Sequence, residues 1–366
     1  MIIGVPKEIK RHEYRIGMTP QCVRSYTSHG HSVLVERGAG AGSGYEDAEY
    51  EKQGAQILPR ASDIFGRAEM IVKVKEPLPD EYQMLTDGQI LYTYLHLAAN
   101  RELAQVLIDR RTTGIAYETI ELPDHSLPCL TPMSEIAGRL SVQEGAKYLE
   151  KEFGGRGILL GGVPGVPRGN VAILGGGVVG TNACKIAVGI GANVTILDVN
   201  ARRLAYLDDI FGSSITTLYA TEANIEFVLA EADILIGAVL LPGESTPKLI
   251  RREHLAMMKP GAVLVDVAID QGGCAETSRP TTHDQPIYIV DNVVHYCVAN
   301  MPGAVARSST IALTSVTLSY GLLIADQGIE KAMRSHAAIL AGVNTFQGRC
   351  THAGVARSCG LEYTAL

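Results

Sequence analysis

Short apolar runs alternate with amphipathic stretches along the first third of the chain. Residues 2–5, 32–35, 70–74 and 89–92 predict strands separated by helices or loops, an α/β arrangement running to about Pro128. The stretch 154–169 is too dense in Gly and Pro for a long regular element and predicts a connection. Beyond Asn170 the alternation sharpens, with strands expected at 171–174, 193–197, 215–219, 234–238 and 262–268 and helices from Val178 and over 201–210. Strand and helix in regular alternation predict a parallel, doubly wound sheet. After Met301-Pro302-Gly303-Ala304 the apolar positions Ile311, Leu313, Val316, Leu318, Leu322 and Leu323 predict a helical tail. The expected architecture is a two-lobed α/β protein. A Rossmann-type domain, residues 129–305, is inserted into a second α/β domain made of 1–128 and 306–366.

Gly175-Gly176-Gly177-Val178-Val179-Gly180 follows one predicted strand and opens one predicted helix, the setting in which Gly-x-Gly-x-x-Gly binds a dinucleotide. Gly175 suits the tight turn, Gly177 admits a pyrophosphate to the backbone N–H groups of a positive helix terminus, and Gly180 lets helix and strand pack closely. Asp198 closes the next strand, 18 residues past Gly180, where a carboxylate accepts from the adenosine ribose hydroxyls. It would repel the extra phosphate of NADP: two unit charges about 4 Å apart cost roughly 4 kcal/mol at an effective dielectric of about 20. Arg202 and Arg203 soften that penalty, and NAD is the expected cofactor. The bland alternative is a glycine-rich turn with a capping acid and no ligand. Strand, turn, helix, strand and acid in that order speak against it.

Composition narrows the partners. The chain has 46% hydrophobic and 19% charged residues, enough apolar content for a core in each of two domains. A net charge of -7 without a basic run makes nucleic acid and anionic membrane surfaces unexpected partners. The first residues lack the basic start and apolar run of a secretory signal, and no segment holds 18 uninterrupted apolar residues, so a soluble cytoplasmic protein is expected. Seven scattered cysteines without a Cys-x-x-Cys pair signal neither a disulfide framework nor a zinc knuckle.

Several further segments share one pattern: Met1-Ile-Ile-Gly-Val-Pro-Lys-Glu-Ile-Lys, Glu13-Tyr-Arg15-Ile-Gly-Met-Thr-Pro20, Lys73-Val-Lys75-Glu-Pro77, Tyr94-Leu-His96-Leu-Ala, Thr131-Pro-Met-Ser134-Glu-Ile-Ala-Gly138, Val267-Ala-Ile-Asp270-Gln-Gly-Gly273 and Asn300-Met-Pro-Gly-Ala304. In this order, over the whole length, they resemble the family of alanine dehydrogenases and transhydrogenase NAD-binding subunits. The resemblance implies NAD-dependent, reversible oxidative deamination of L-alanine to pyruvate and ammonia, and a homohexamer. Oxidising an amino acid requires a carboxylate clamp, a base and an adjacent nicotinamide face. By resemblance Arg15, with its planar fork, binds the carboxylate, and Lys75 holds the same group or the oxo oxygen. His96 is implied as general acid/base, imidazole being the side chain that ordinarily titrates near neutral pH. Asp270, just past the 262–268 run, is implied to position water and stabilise an iminium-like species.

The resemblance also implies cofactor contacts from Ser134, Val178, Asp198, Arg203, Val239, Leu240, Val267, Ala268, Ile269, Arg279, Val298 and Met301, beside Gly175, Gly177 and Gly180. Most are apolar, and ordinary core packing is their plain alternative. Ala220 stands where many relatives carry a serine near the adenine. Gln327 stands where some relatives carry a histidine that shares a divalent metal with a glutamate, here Glu118, so no metal site is expected. Three other readings stand beside the main one: a transhydrogenase subunit needing a membrane partner, a dehydrogenase forming lysine- or opine-type products, and a noncatalytic NAD(H)-binding module.

Overall fold

A computed structural model describes residues 1–239 and 246–366. The chain divides into two compact units, Met1–Met133 with Gly303–Leu366, and Ser134–Pro302.

In the first unit the strands are β1 (Ile2–Val5), β2 (Ser32–Glu36), β3 (Gln56–Leu58), β4 (Met70–Val72), β5 (Ile90–Thr93) and β6 (Thr113–Ala116). The second unit contributes β7 (Asn170–Leu174), β8 (Asn193–Asp198), β9 (Ile215–Tyr219), β10 (Ile234–Gly237), β11 (Val263–Asp266), β12 (Ile287–Val290) and β13 (Val293–Tyr296). The chain then returns to the first unit with β14 (Val343–Phe346) and β15 (Arg349–Cys350).

The first sheet runs β15-β14-β6-β5-β4-β1-β2-β3, parallel from β6 to β3 and antiparallel at β14 and β15. Strands β4, β5 and β6 are buried at every residue, the continuous apolar signature of a parallel sheet covered on both faces. Leu34, Ile64, Phe65, Ile71, Leu91, Leu103 and Leu107 form one core cluster. The stretch Met301–Gln327 has the length and hydropathy to cross a membrane. Its helix, Ala306–Gln327, instead buries hydroxyl-bearing side chains in the first unit: Thr310 Oγ1 accepts from Ile16 N–H, and the Thr317 carbonyl accepts from Tyr92 Oη at 3.0 Å. Such partners mark a helix packed into the core of the first unit.

Just past β4, Lys73 is 1% exposed, with its ammonium 2.8 Å from Glu81 and 3.3 Å from Glu8. Burial pushes the Glu8 carboxyl up, against the pull of Lys73 and the Val74 N–H. One buried cation thus serves two buried acids.

The second sheet runs β12-β13-β11-β10-β7-β8-β9, all parallel except β12 against β13. From β9 the order goes inward to β7 and then jumps to β10, so chain direction reverses across the sheet between β7 and β10. In doubly wound sheets ligands bind beyond the carboxyl ends of the strands at that switch. The expected strand over 262–268 stops at Asp266 because its carboxylate accepts the Ala268 N–H at 3.2 Å and starts a 3-10 turn, Val267–Gln271. All seven cysteines are free and buried.

Replacing Lys73 by Met leaves two buried carboxylates without a counter-charge and should cost about 3–5 kcal/mol at neutral pH, read by urea unfolding. The deficit should shrink with acidification. Relief begins as pH falls through the raised folded value of Glu8 and is complete near its ordinary 4.5.

Candidate functional site

The glycine turn leaves β7 at the switch point. Gly175 has φ +100°, and a Cβ there would lie 2.7 Å from the Ala238 carbonyl beyond β10. Gly177 is the N-cap of helix Val178–Gly189, with no side-chain cap, and a Cβ on it meets nothing within 4 Å. The first turn of that helix thus has no side-chain cap and opens on the Gly177 side, a cradle that fits a pyrophosphate. A Cβ on Gly180 would sit 1.9 Å from the Gly175 carbonyl, so only glycine allows helix and strand this close.

At the end of β8, Asp198 accepts from Gly176 N–H at 2.6 Å and from Asn200 N–H at 2.8 Å, tying strand end to glycine turn. Arg203 donates to the Gly176 carbonyl and to Thr181 Oγ1 and lies over the Tyr206 ring at 4.7 Å. The expected adenosine-side residues thus share one hydrogen-bonded patch.

Beyond β11 a second loop is built around Asp266, which is 0% exposed. Its carboxylate accepts from Ala268, Cys274 and Ala275 N–H and from Ser278 Oγ. Lys248 Nζ crosses the same loop, donating to the Gly272, Gly273 and Ala275 carbonyls. Val267 is half-buried and Ala268 and Ile269 buried, whereas Asp270 is exposed. The Asp270 carboxylate has no hydrogen-bond partner among the described residues. Arg279 lies over the Tyr288 ring at 4.4 Å. Val239 is half-buried past β10, Ser134 half-buried in helix Thr131–Tyr148, and Val298 and Met301 are buried. Leu240 lies outside the described residues.

In the first unit the expected substrate residues leave the carboxyl ends of strands or the loop after β1. Arg15, buried, grips Glu13 in a two-point pair, Nε to Oε1 at 2.7 Å and Nη2 to Oε2 at 2.6 Å, while Nη1 donates to Met133 Sδ. Burial alone would lower the guanidinium's affinity for its proton, but Glu13 outweighs it and raises it. Burial likewise opposes ionisation of Glu13, yet Arg15 and Lys75 hold its carboxyl below the usual range. Past β4, Glu8 accepts from Val74 N–H at 2.6 Å and Lys75 N–H at 3.3 Å, fixing the backbone from which Lys75 projects. Burial, then repulsion from Arg15 and Lys10, lowers the Lys75 ammonium from its ordinary 10.5.

His96 follows β5 and is exposed, with its ring stacked on Tyr94 at 5.9 Å and 13°. Its backbone is left-handed, φ 48°, and its N–H donates to Glu118 at 2.6 Å. Glu118 thus spends its oxygens on backbone donors, and the Gln327 side-chain oxygen accepts from Ser335 Oγ. Another acidic group, Glu222 and Glu226 with His254, has the spacing of metal ligands. Glu222 is paired with Arg251 at 2.7 Å, His254 Nδ1 accepts from Arg251 N–H, and His254 Nε2 lies 3.9 Å from Glu226, beyond hydrogen-bond reach.

Glu8, Glu13, Asp266 and Lys248 escape sequence reasoning, and Glu118 enters it only as half of a metal pair that lacks its histidine. Glu8 and Glu13 leave a trace only as members of quoted segments, Glu13 two residues from Arg15.

A glycine turn with an acid at the next strand end on one sheet, and buried cations at the strand ends of another, define a two-unit α/β protein with a Rossmann-type second unit. Family profiles described as Alanine dehydrogenase/PNT, N-terminal domain and C-terminal domain match residues 4–137 and 141–353. The chain belongs to the alanine dehydrogenase/PNT family. It is 57% identical over 365 residues to an alanine dehydrogenase of Methanococcus maripaludis, covering 100% of this chain and 98% of that one. A solved L-alanine dehydrogenase superposes with a TM-score of 0.96 at 54% identity, covering 98% and 99% of the two chains. A transhydrogenase from Sinorhizobium meliloti is more distant, with a TM-score of 0.83 at 25% identity over 96% and 99%.

Two glycine substitutions should separate cradle from packing. Gly177→Ala should leave the thermal midpoint within about 2 °C while weakening NADH binding at least about tenfold, read by fluorescence titration. Gly180→Ala should lower both, with a stability loss of about 1–3 kcal/mol.

Proposed function

We propose that the protein catalyses the reversible oxidative deamination of L-alanine to pyruvate and ammonia with NAD as the hydride acceptor. One combination carries the proposal. A chain alike end to end to alanine dehydrogenases holds both the Gly175–Gly180 cradle with Asp198 and, at strand ends of its other unit, Arg15, Lys75 and His96.

Bound NAD supplies the hydride acceptor, held by the uncapped N-terminus of helix Val178–Gly189 and by Asp198 on the ribose. Arg15 donates to the substrate carboxylate from its Nη1 side, with Glu13 holding the Nε edge and keeping the plane of the fork fixed. Lys75 adds a second positive charge to the same anion or to the oxo oxygen. Once the alanine ammonium has released one proton to solvent, loss of the α-hydrogen as hydride leaves a cationic iminium, and the Asp270 carboxylate opposes that charge. His96 removes a proton from the water that attacks the iminium carbon, and the resulting carbinolamine expels ammonia to give pyruvate. In amination the same imidazole protonates the carbonyl oxygen.

Initial rates with small amino acids test the proposal. L-Alanine with NAD should yield NADH faster than serine, glycine or 2-aminobutyrate, and NADP should serve poorly. A folded protein that binds NADH yet oxidises none of them overturns it. His96→Ala should lower turnover about 10²–10⁴-fold with NADH affinity unchanged within about twofold.

The lowered ammonium of Lys75 sets a pH dependence. Pyruvate does not titrate in the alkaline range, so its calorimetric affinity in the presence of NAD should fall as pH rises through a point below 10.5, where Lys75 loses its charge. Lys75→Gln should bind pyruvate more weakly and without that alkaline fall.

A further inference from the structure

We infer that Glu118 is a positioning residue for His96, holding the imidazole's own backbone in the conformation that presents it. This rests on the reading of His96 as the acid/base group.

His96 has φ 48° and ψ 35°, in the left-handed region that crowds the Cβ of any L-residue against the backbone. A strained, non-glycine residue persists there only if its surroundings over-determine it. Strand β5 ends at Thr93, so the N–H groups of Leu95 and His96 have left the ladder and need other acceptors. Both go to one carboxylate. Glu118 stands in the 3-10 turn Tyr117–Thr119, directly after the neighbouring strand β6, and accepts from His96 N–H at 2.6 Å and from Leu95 N–H at 3.2 Å to each oxygen.

The remaining freedom of the ring is bounded on its other sides. The Leu95 side chain is 0% exposed, so the residue before His96 is fixed in the core. The Tyr94 ring on which the imidazole stacks is anchored by its hydroxyl, which donates to the Cys129 carbonyl at 2.6 Å. Rigid neighbours thus bracket an exposed ring on a strained backbone. The Glu118 carboxylate is the group that receives that backbone's N–H. Relaxing residue 96 to ordinary φ would swing the imidazole away from its place beyond β5, and a displacement of about 1 Å at a reacting group can cost about 10²-fold in rate.

The test is a double-mutant cycle with steady-state rates for L-alanine and NAD. Glu118→Ala should lower kcat about 10–100-fold, with KM for alanine and NADH affinity within about twofold of the parent. Glu118→Gln keeps one accepting oxygen but turns an amide N–H toward the second donor, so its loss should be intermediate. This isosteric variant carries the test if the alanine variant does not fold. On a His96→Ala background either substitution should add less than about twofold, because there is no ring left to place. Parent-like kcat in both Glu118 variants overturns the inference. So does a loss that multiplies with that of His96→Ala, and so does a uniform loss of NADH affinity and thermal stability. Parent-like turnover of His96→Ala alone would instead remove the acid/base reading, and the two failures are told apart by the single variants.

Discussion

A parallel strand that ends must hand its next backbone N–H groups to some acceptor, and in this protein carboxylates do so where the chemistry begins. Glu8 receives Val74 and Lys75 past β4, and Glu118 receives Leu95 and His96 past β5. Asp266 receives Ala268, Cys274 and Ala275 past β11, and Asp198 binds the glycine turn past β7. Charge-assisted acceptors are shorter and stronger than carbonyls and take two or more donors at once, so each loop is held at several points by one side chain. Lys75, His96, Asp270 and the dinucleotide cradle all stand on backbone fixed this way.

In the first unit buried cations lie beside acids of this kind. Lys73 lies between Glu8 and Glu81, and Arg15 and Lys75 hold Glu13. The cations in turn are tuned by what they serve. Arg15 is held more firmly protonated by its acid partner, while Lys75, facing Arg15 and Lys10, yields its proton more easily. Two neighbouring cations therefore differ in kind: one is a fixed charge in a fixed plane, the other a charge that alkaline conditions can remove.

What the sequence disclosed follows from which signals are local. Five strands of the second sheet, β7 to β11, are legible because apolar-rich runs alternate with turns and helices, and the glycine turn because its three small residues are spaced by the geometry of one strand-to-helix passage. The antiparallel pair β12 and β13 escapes that reading. Strands β3 and β15 are too short to show a period, with three and two residues. β6 carries Gly114 at the point where a Cβ would meet Thr345 Oγ1 at 2.7 Å, a demand made by a strand over two hundred residues away. The stop of β11 at Asp266 was hidden because its apolar run continues into the 3-10 turn. Arg15, Lys75, His96 and Asp270 stood out through family resemblance. Glu118 and Asp266 act on distant or folded-back backbone, and no spacing along the chain encodes that.

The first sheet is closed by its last-made piece. Strand β14 pairs with β6 across more than two hundred residues of intervening chain, all of the second unit among them. During translation the second unit has its entire complement of strands before the ribosome has made Val343, whereas β6 waits as a bare edge. A nascent or truncated chain ending near Pro302 would present that buried, apolar strand to any other unpaired strand, so the final sixty or so residues serve as the seal that keeps the first unit from aggregating.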